Sequence, residues 1–383
     1  MGLPLAARRP GRRACPRHLG HETGSPTVRD FLAAPPRRGA AQGYRMKTIV
    51  LEEPGRFQLA DRAAPPAPAP AEALVRVHRV GVCGSDLHAF RGKQPFFTYP
   101  RVVGHELGVE IVALGKPEPH LAVGDRCAVE PYLNCGRCIA CRRGKTNCCV
   151  SLQVLGVHTD GGMRELMTVP VTKLHRSKTL SVDQLALIEM LTIGAHAVRR
   201  AQPEAGECVL VVGAGPIGLS VIQFAQLVGA RVIVLEISER RRQFCRQHLK
   251  VETCLDGQTE PVVELQALLN GDLPTTVFEA TGNPNAMMRS VQYVANGGKL
   301  TFVSLVQGDL TFRDTELHRR ELTLLRSRNA TGADFGWAIQ MVEEGKIDLA
   351  PWITHRARAD AMIAAFPEWL DPERGVIKAV VEF

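Results

Sequence analysis

Residues 208–226 read CVLVVGAGPIGLSVIQFAQ. A run of aliphatic residues ends in Gly213-x-Gly215-x-x-Gly218, and an apolar segment with helical spacing follows at once. A glycine triplet alone is weak evidence. Here a buried strand precedes it, a helix follows, and a second apolar strand, RVIVLE, ends in Glu236 about 20 residues on, which is the context a dinucleotide site requires. Gly213 permits the tight turn, Gly215 lets a pyrophosphate approach the backbone, and Gly218 allows close helix packing, with Pro216 and Ile217 in the same cofactor-facing turn. The helix N-terminus then faces the phosphates with its positive end. Glu236 would hold the ribose hydroxyls, and its charge repels a 2′-phosphate, favouring NAD over NADP. Arg240, Arg241 and Arg242 follow directly and could pair with such a phosphate. A solvated helix face accounts for them more simply, although Arg241 counts among the candidate cofactor contacts.

Working outward from this unit, helical stretches (SVDQLALIEMLTIGAHAVRRA, SERRRQFCRQHL) alternate after Leu180 with short apolar strands (TTVFEA, GKLTFVSL, ELTLLRS). That alternation predicts a doubly wound parallel α/β sheet. From Met46 to about Val171 the pattern is different. Short β-like runs (TIVLEE, EALVRVHRVGVC, HELGVEIVALG, RCAVEP) are punctuated by Gly and Pro, which predicts a mostly β, barrel-like domain. The Pro-rich stretch at 64–73 is a linker or edge turn within it. The last part, with a helix in GADFGWAIQMVEEGKI and a closing strand VIKAVVEF, is expected to return to the first domain. The expected division is therefore 1–45, 46–185, 186–325 and 326–383, and 383 residues is long for a single core.

Two clusters can hold metal. Between Asn134 and Cys149 the chain reads NCGRCIACRRGKTNCC, placing Cys135, Cys138, Cys141 and Cys149 at C-x2-C-x2-C-x7-C. Four thiolates so close can surround one tetrahedral Zn²⁺ at roughly 2.3 Å each, a closed structural site. The spacing is too tight for ordinary disulfides, and Cys148 falls outside it. The second cluster lies in GVCGSDLH and GHE, where Cys83, His105 and Glu106 offer a thiolate, an imidazole and a carboxylate. Three ligands leave an open position, as a catalytic zinc needs. Two zinc ions per chain are thus expected.

The net charge of +8 raises the question of nucleic acid. Residues 1–45 hold nine Arg and no Lys against Glu22 and Asp30, seven of the eight net charges, so the remainder is nearly neutral and argues against such a partner. The same segment is rich in Arg, Pro, Ala and Gly without apolar periodicity, and is expected to be disordered. It reads as translated upstream sequence, with Met46 as the start, or as an Arg-rich transit peptide, or as an extension with a local role. No run approaches the roughly 20 apolar residues of a membrane span. Eleven cysteines, four of them clustered for metal, point to a reducing cytoplasm. Cys127, Cys208, Cys245 and Cys254 sit in apolar or helical contexts and read as packing.

Taken in order, GVCGSDLHAF, GHELG, the CGxCxxCxxGxxNxC lobe and VVGAGPIGL resemble the zinc-dependent medium-chain alcohol dehydrogenase superfamily, over 46–383. The resemblance implies a GroES-like β-rich catalytic domain beside a Rossmann domain. Glu189, in ALIE, stands where simple alcohol dehydrogenases carry a cysteine ligand, and this is similar to the sorbitol dehydrogenase branch. The strings YPRVVGHE, LGVHTDGGM and ELTLLRSRNAT resemble bacterial L-gulonate, L-idonate or galactonate 5-dehydrogenases. By position, the resemblance implies that Cys83, His105 and Glu106 hold the catalytic zinc, with Glu189 binding it directly or through its water. Asp86 would orient His105, and Ser85 would take the substrate hydroxyl proton and pass it towards His88. Hydride would then move from the carbinol carbon to the nicotinamide. Homodimers or homotetramers are implied by the same analogy.

A sugar-acid substrate calls for an arginine. Arg91, Arg101 and Arg328 lie near the motifs expected to line the cleft, and His158 and Asp160 suit either a hydroxyl-binding loop or an ordinary turn. Rival expectations are a sorbitol- or galactitol-type polyol dehydrogenase, an L-threonine or other alcohol dehydrogenase, and a silent cofactor-binding protein.

Overall fold

The structure, a computed structural model, describes Gly2 and Tyr44–Phe383. Apart from Gly2, Tyr44 and Arg45, the basic extension expected over 1–45 lies outside the described residues.

Two sheets dominate the described chain. The first is mixed and runs Ile353–Arg358, Lys378–Glu382, Glu72–Gly81, Glu106–Leu114, Arg126–Val129, Leu174–Ser177, with Leu166–Pro170 also paired to Glu72–Gly81. Its C-terminal strands come from the end of the chain: Val380 stands opposite Gly81 in antiparallel register. A hairpin of Arg45–Glu53 and Arg56–Ala63 is fastened to this body by Ile49 N–H donating to the Met163 carbonyl at 2.8 Å. Alternating Val and Leu side chains of these strands, among them Val75, Val77, Leu107, Val109 and Ile111, are fully buried and form its core.

The second sheet has six parallel strands in the order Thr253–Asp256, Arg231–Glu236, Cys208–Val212, Thr276–Glu279, Lys299–Phe302, Thr323–Arg326. Numbered along the chain this is 3-2-1-4-5-6, so the strand order reverses beside Cys208–Val212, and ligands bind at the carboxyl ends of the strands at such a reversal. Val209, Leu210 and Val211 are fully buried, as expected of a strand covered on both faces.

The helix Val182–Ala201 packs against strands of the first sheet and against the helix Pro216–Leu227 of the second. Ser181 and Gln184 form a capping box at its start, with Gln184 N–H donating to Ser181 Oγ at 3.2 Å. Gly194 makes the crossing possible. A Cβ there would stand 2.1 Å from Ser220 Oγ, the atom that instead accepts the Gly194 N–H at 3.0 Å. No helix among the described residues is long and apolar enough to cross a membrane.

Candidate active site

Strand register assembles the first metal cluster. Gly81 pairs with Glu106, so the residue two beyond one strand, Cys83, and the residue just before the other, His105, meet at the same sheet end. Donor atoms of Cys83, His105 and Glu106 lie within 4.8 Å of one another. His105 Nδ1 and Glu106 Oε2 are buried without a hydrogen-bond partner. A thiolate, an imidazole and a carboxylate with open donor atoms suit zinc. Burial opposes charge on His105, but the Cys83 sulfur, Asp86 and Glu189 hold its basicity well above the ordinary value.

Glu106 is not surrounded by cluster residues alone. Its Oε1 accepts from Lys378 Nζ at 2.7 Å, and Lys378 donates again to the Val82 carbonyl at 3.2 Å. Both side chains are buried, at 2% and 0% exposure. Burial disfavours the ammonium, yet the charges of Glu106, Cys83 and Glu189 raise its pKa. Lys378 was not read from sequence as a site residue. The available signal was a lone lysine beginning the apolar closing strand, which ordinarily marks a surface position.

Glu189 projects from the long helix, 4% exposed, and accepts a short hydrogen bond from Tyr132 Oη. Its pKa is raised by burial and by Glu106, against His105, Tyr132 and Lys378. Glu189 falls outside the three-donor group. Tyr132, likewise unread from sequence, has its pKa pushed well up by burial and Glu189.

The helix Gly84–Phe90 carries Ser85, Asp86 and His88. The expected Asp86–His105 hydrogen bond is not formed: Asp86 Oδ2 accepts the Cys83 N–H at 2.9 Å, because the third residue of a helix completes its N-terminal cap. Ser85 Oγ is buried and without a partner. His88 is exposed, and burial, Arg91 and Lys93 lower its pKa.

Cys135, Cys138, Cys141 and Cys149 bring their sulfurs within 4.8 Å of one another, and Cys148 points to solvent outside the group. Backbone N–H groups aim at the sulfurs. Cys135 N–H donates to Cys149 Sγ at 3.2 Å, and those of Cys141 and Val150 lower the Cys138 pKa to about 6. Beneath the lobe, Asn134 Nδ2 donates to Cys141 Sγ at 3.6 Å while its Oδ1 accepts from Lys173, itself paired with buried Glu130 at 2.5 Å.

At the reversal of the second sheet, Gly213 has φ +92° and a Cβ on Gly218 would stand 1.9 Å from the Gly213 carbonyl oxygen, so both positions need glycine. Pro216 and Ile217 open the following helix. Glu236 pins the turn. Its Oε2 accepts from Ala214 N–H at 2.7 Å and its Oε1 from Ser238 N–H at 2.9 Å. The three arginines have different partners. Arg240 donates to the Glu373 carbonyl at 3.0 Å, and Arg242 is buried with Glu239 and Asp256. Arg241 stands over the turn, 3.9 Å from Glu236.

Family models match both halves: residues 69–179 fit the alcohol dehydrogenase GroES-like domain and 216–344 the zinc-binding dehydrogenase. L-galactonate-5-dehydrogenase of Escherichia coli strain K12 is 41% identical over 88% of this chain and 99% of its own length. The chain belongs to the zinc-dependent alcohol dehydrogenase family. Among solved structures, RspB of Escherichia coli CFT073 with NADH has a TM-score of 0.83 at 29% identity, over 89% of this chain and 100% of that one. A protein of Sinorhizobium meliloti 1021 bound to NADP has a TM-score of 0.80 at 28% identity, over 89% and 100%. This zinc-type alcohol dehydrogenase is an oxidoreductase acting on CH–OH groups with NAD.

The dehydrogenase distributes its candidate substrate contacts unevenly. Arg91 is exposed and held by the Leu370 carbonyl at 2.9 Å. Asp160 serves structure: Oδ1 accepts the Val102 N–H at 3.1 Å, and Arg62 and Arg101 each lie 3.6 Å from its carboxylate. His158 is half-buried and accepts the Val154 N–H on Nδ1 at 3.1 Å. Arg328 is exposed two residues past the strand Thr323–Arg326, with its carbonyl accepting from Asn147 Nδ2 at 2.8 Å.

Proposed function

We propose that this dehydrogenase oxidises a secondary hydroxyl of a sugar acid or polyol with NAD, in the manner of an L-galactonate 5-dehydrogenase. The observation that carries the substrate class is similarity to that Escherichia coli enzyme along nearly its whole length. On this reading residues 46–185 and 326–383 form the catalytic domain and 186–325 the cofactor domain.

Cys83 and His105 would hold the catalytic zinc with Glu106, Glu189 closing the site from the helix side, and the four lobe cysteines would hold a structural one. When bound, the catalytic zinc lowers the pKa of the substrate hydroxyl, and the nicotinamide accepts hydride. The chain's own part is positioning and proton transfer. Ser85 Oγ, buried and unpartnered, is available to accept the hydroxyl proton. His88 lies one helical turn on, and its lowered pKa keeps it neutral and able to take that proton near neutral pH. Lys378 fixes one oxygen of Glu106. Glu236, held rigidly by two N–H donors, favours NAD over NADP. A cytoplasmic homodimer or homotetramer fits the analogy and the free thiols.

The test is NADH formation across stereochemically matched aldonic acids and polyols, with and without a zinc chelator. Chelator-sensitive turnover of an aldonate is expected. Turnover confined to polyols would move the protein to the sorbitol-type reading, and comparable efficiency with NADP would overturn the cofactor preference.

A further inference from the structure

Three strands of the first sheet, Lys378–Glu382, Glu72–Gly81 and Glu106–Leu114, lie side by side in that order, and their register decides what Glu106 can do. Val380 stands opposite Gly81, and Val82 N–H donates to the Ala379 carbonyl at 2.9 Å, so continuing that register sets Lys378 beside Cys83. Gly81 pairs with Glu106 along its other edge. Gly81 has no side chain, and the Glu106 carboxylate uses the space: a Cβ there would stand 2.1 Å from Glu106 Oε2 and 2.9 Å from Glu106 Cβ. Over this gap the lysine side chain crosses the middle strand. Its Nζ donates to the Val82 carbonyl at 3.2 Å and to Glu106 Oε1, on the far strand, at 2.7 Å.

The two oxygens of Glu106 are thereby made unequal. Oε1 holds an ammonium, and Oε2 is buried without a partner among the described residues. Donor atoms of Cys83, His105 and Glu106 lie within 4.8 Å of one another, so a metal at this cluster meets a carboxylate with one free oxygen. An oxygen already bound to one cation is a poor ligand for a second, because the two positive charges repel at such short range. A carboxylate without the lysine could offer both oxygens. That difference matters at a zinc with three protein ligands, whose fourth position must stay open for the substrate. A second oxygen from Glu106 would fill it. A buried ion pair adds little to stability, so stability alone does not call for a lysine here.

We propose that Lys378 is a positioning residue that holds Glu106 to ligation through one oxygen, and so keeps the fourth position at Cys83, His105 and Glu106 open to the substrate hydroxyl. The inference rests on the catalytic-zinc reading above and names the group that limits the carboxylate. Two replacements of the lysine separate this role from simple support of Glu106. Methionine fills the volume and releases Oε1 to the metal. Arginine keeps the charge, but its planar fork engages both carboxylate oxygens and withdraws Oε2.

The test exchanges the catalytic zinc of the holoenzyme for Co²⁺ and compares wild type, Lys378→Met and Lys378→Arg, with NADH binding followed by fluorescence as the check on folding. The readouts are the visible cobalt spectrum, its response to added imidazole, and the metal dissociation constant from competition with a chelator. The wild-type spectrum should shift when imidazole takes the open position. Lys378→Met should give a displaced spectrum that no longer answers to imidazole and lose on the order of 100-fold in kcat for L-galactonate, with the metal dissociation constant kept within about threefold. Lys378→Arg should instead weaken metal binding about tenfold, while the metal that does bind still answers to imidazole. A contact that only supported Glu106 would weaken the metal alike in both variants. That pattern, or a Lys378→Met spectrum that matches the wild type with and without imidazole, would overturn the role of Lys378. Should Lys378→Met not fold, undiminished metal affinity in Lys378→Arg would do the same. A wild-type cobalt spectrum left unchanged by Cys83→Ser would overturn the catalytic-zinc reading, and the role of Lys378 with it.

Discussion

Lys378 and Glu106 are fully buried opposite charges joined at 2.7 Å, at the end of the sheet where Cys83 and His105 also meet. A buried pair adds little net stability, but removing one member strands the other in low dielectric. Lys378→Met should therefore destabilise the zinc-loaded enzyme by about 3 kcal/mol, measured by chemical denaturation, and Lys378→Met with Glu106→Gln should recover much of that loss. Full cost in the double variant would show that the lysine acts by packing rather than charge. Cys83→Ser and His105→Ala are expected to abolish turnover with circular dichroism unchanged. Retained activity in either would defeat their assignment to the metal. Cys83, His105 and the lobe cysteines, whose donor atoms the fold brings together, were legible in the sequence because candidate metal ligands stand out by residue type and local spacing. The sequence did not disclose Lys378 or Tyr132, whose partners lie 272 and 57 positions away and arrive only through strand register and helix docking.

The four-cysteine lobe has almost no secondary structure to support it: a helix of four residues, Ile139–Arg142, and a single 3₁₀ turn, Thr146–Cys148. Helices so short are unstable by themselves. Four thiolates around one point would repel unless a cation joined them, so on the structural-zinc reading metal binding and folding of the lobe would be one equilibrium. Cys138→Ser should lower the melting temperature by several degrees, of order 2–4 °C per kcal/mol lost, while the kcat of the surviving folded fraction changes less than twofold. An unaltered melting temperature would mean that the lobe holds without its metal. Elements with long apolar runs were legible for the same reason that they are stable. The strands of the parallel sheet and the helix Val182–Ala201 bury continuous hydrophobic surface that is visible as pattern. The helix Gly84–Phe90, which carries Ser85, Asp86 and His88, was not: its seven residues are too few for periodicity, and it is defined by the reciprocal cap between Cys83 and Asp86.

Across the whole molecule, one polar chain links the lobe to the end of the second sheet and to the helices Val182–Ala201 and Gly332–Glu343. Asn147, between Cys141 and Cys149, uses its amide nitrogen twice, towards the Arg328 carbonyl at 2.8 Å and His196 Nε2 at 3.1 Å. His196, on the long helix, meets Asp334 Oδ2 through Nδ1 at 3.0 Å. Asp334 is ion-paired with Arg199 at 3.1 Å and caps the helix Gly332–Glu343 by accepting the Thr331 N–H at 2.8 Å. The donors are consistent along the chain. Nδ1–H of a neutral His196 donates to the carboxylate, so Nε2 accepts from the amide, and the second amide hydrogen is left for the Arg328 carbonyl. The lobe is thus tied to the backbone that presents Arg328, far from the lobe in sequence. Asn147→Ala would leave a buried imidazole nitrogen without its donor, at a cost of about 2 kcal/mol, read by denaturation. If the tie positions Arg328, the same variant should raise KM for an aldonate severalfold while the NADH dissociation constant stays within twofold, because Gly213, Gly215 and Gly218 lie outside the chain of contacts. Equal loss of stability with an unchanged KM would make Asn147 a structural strut alone, and the Arg328 backbone would then owe its place to the end of the strand Thr323–Arg326.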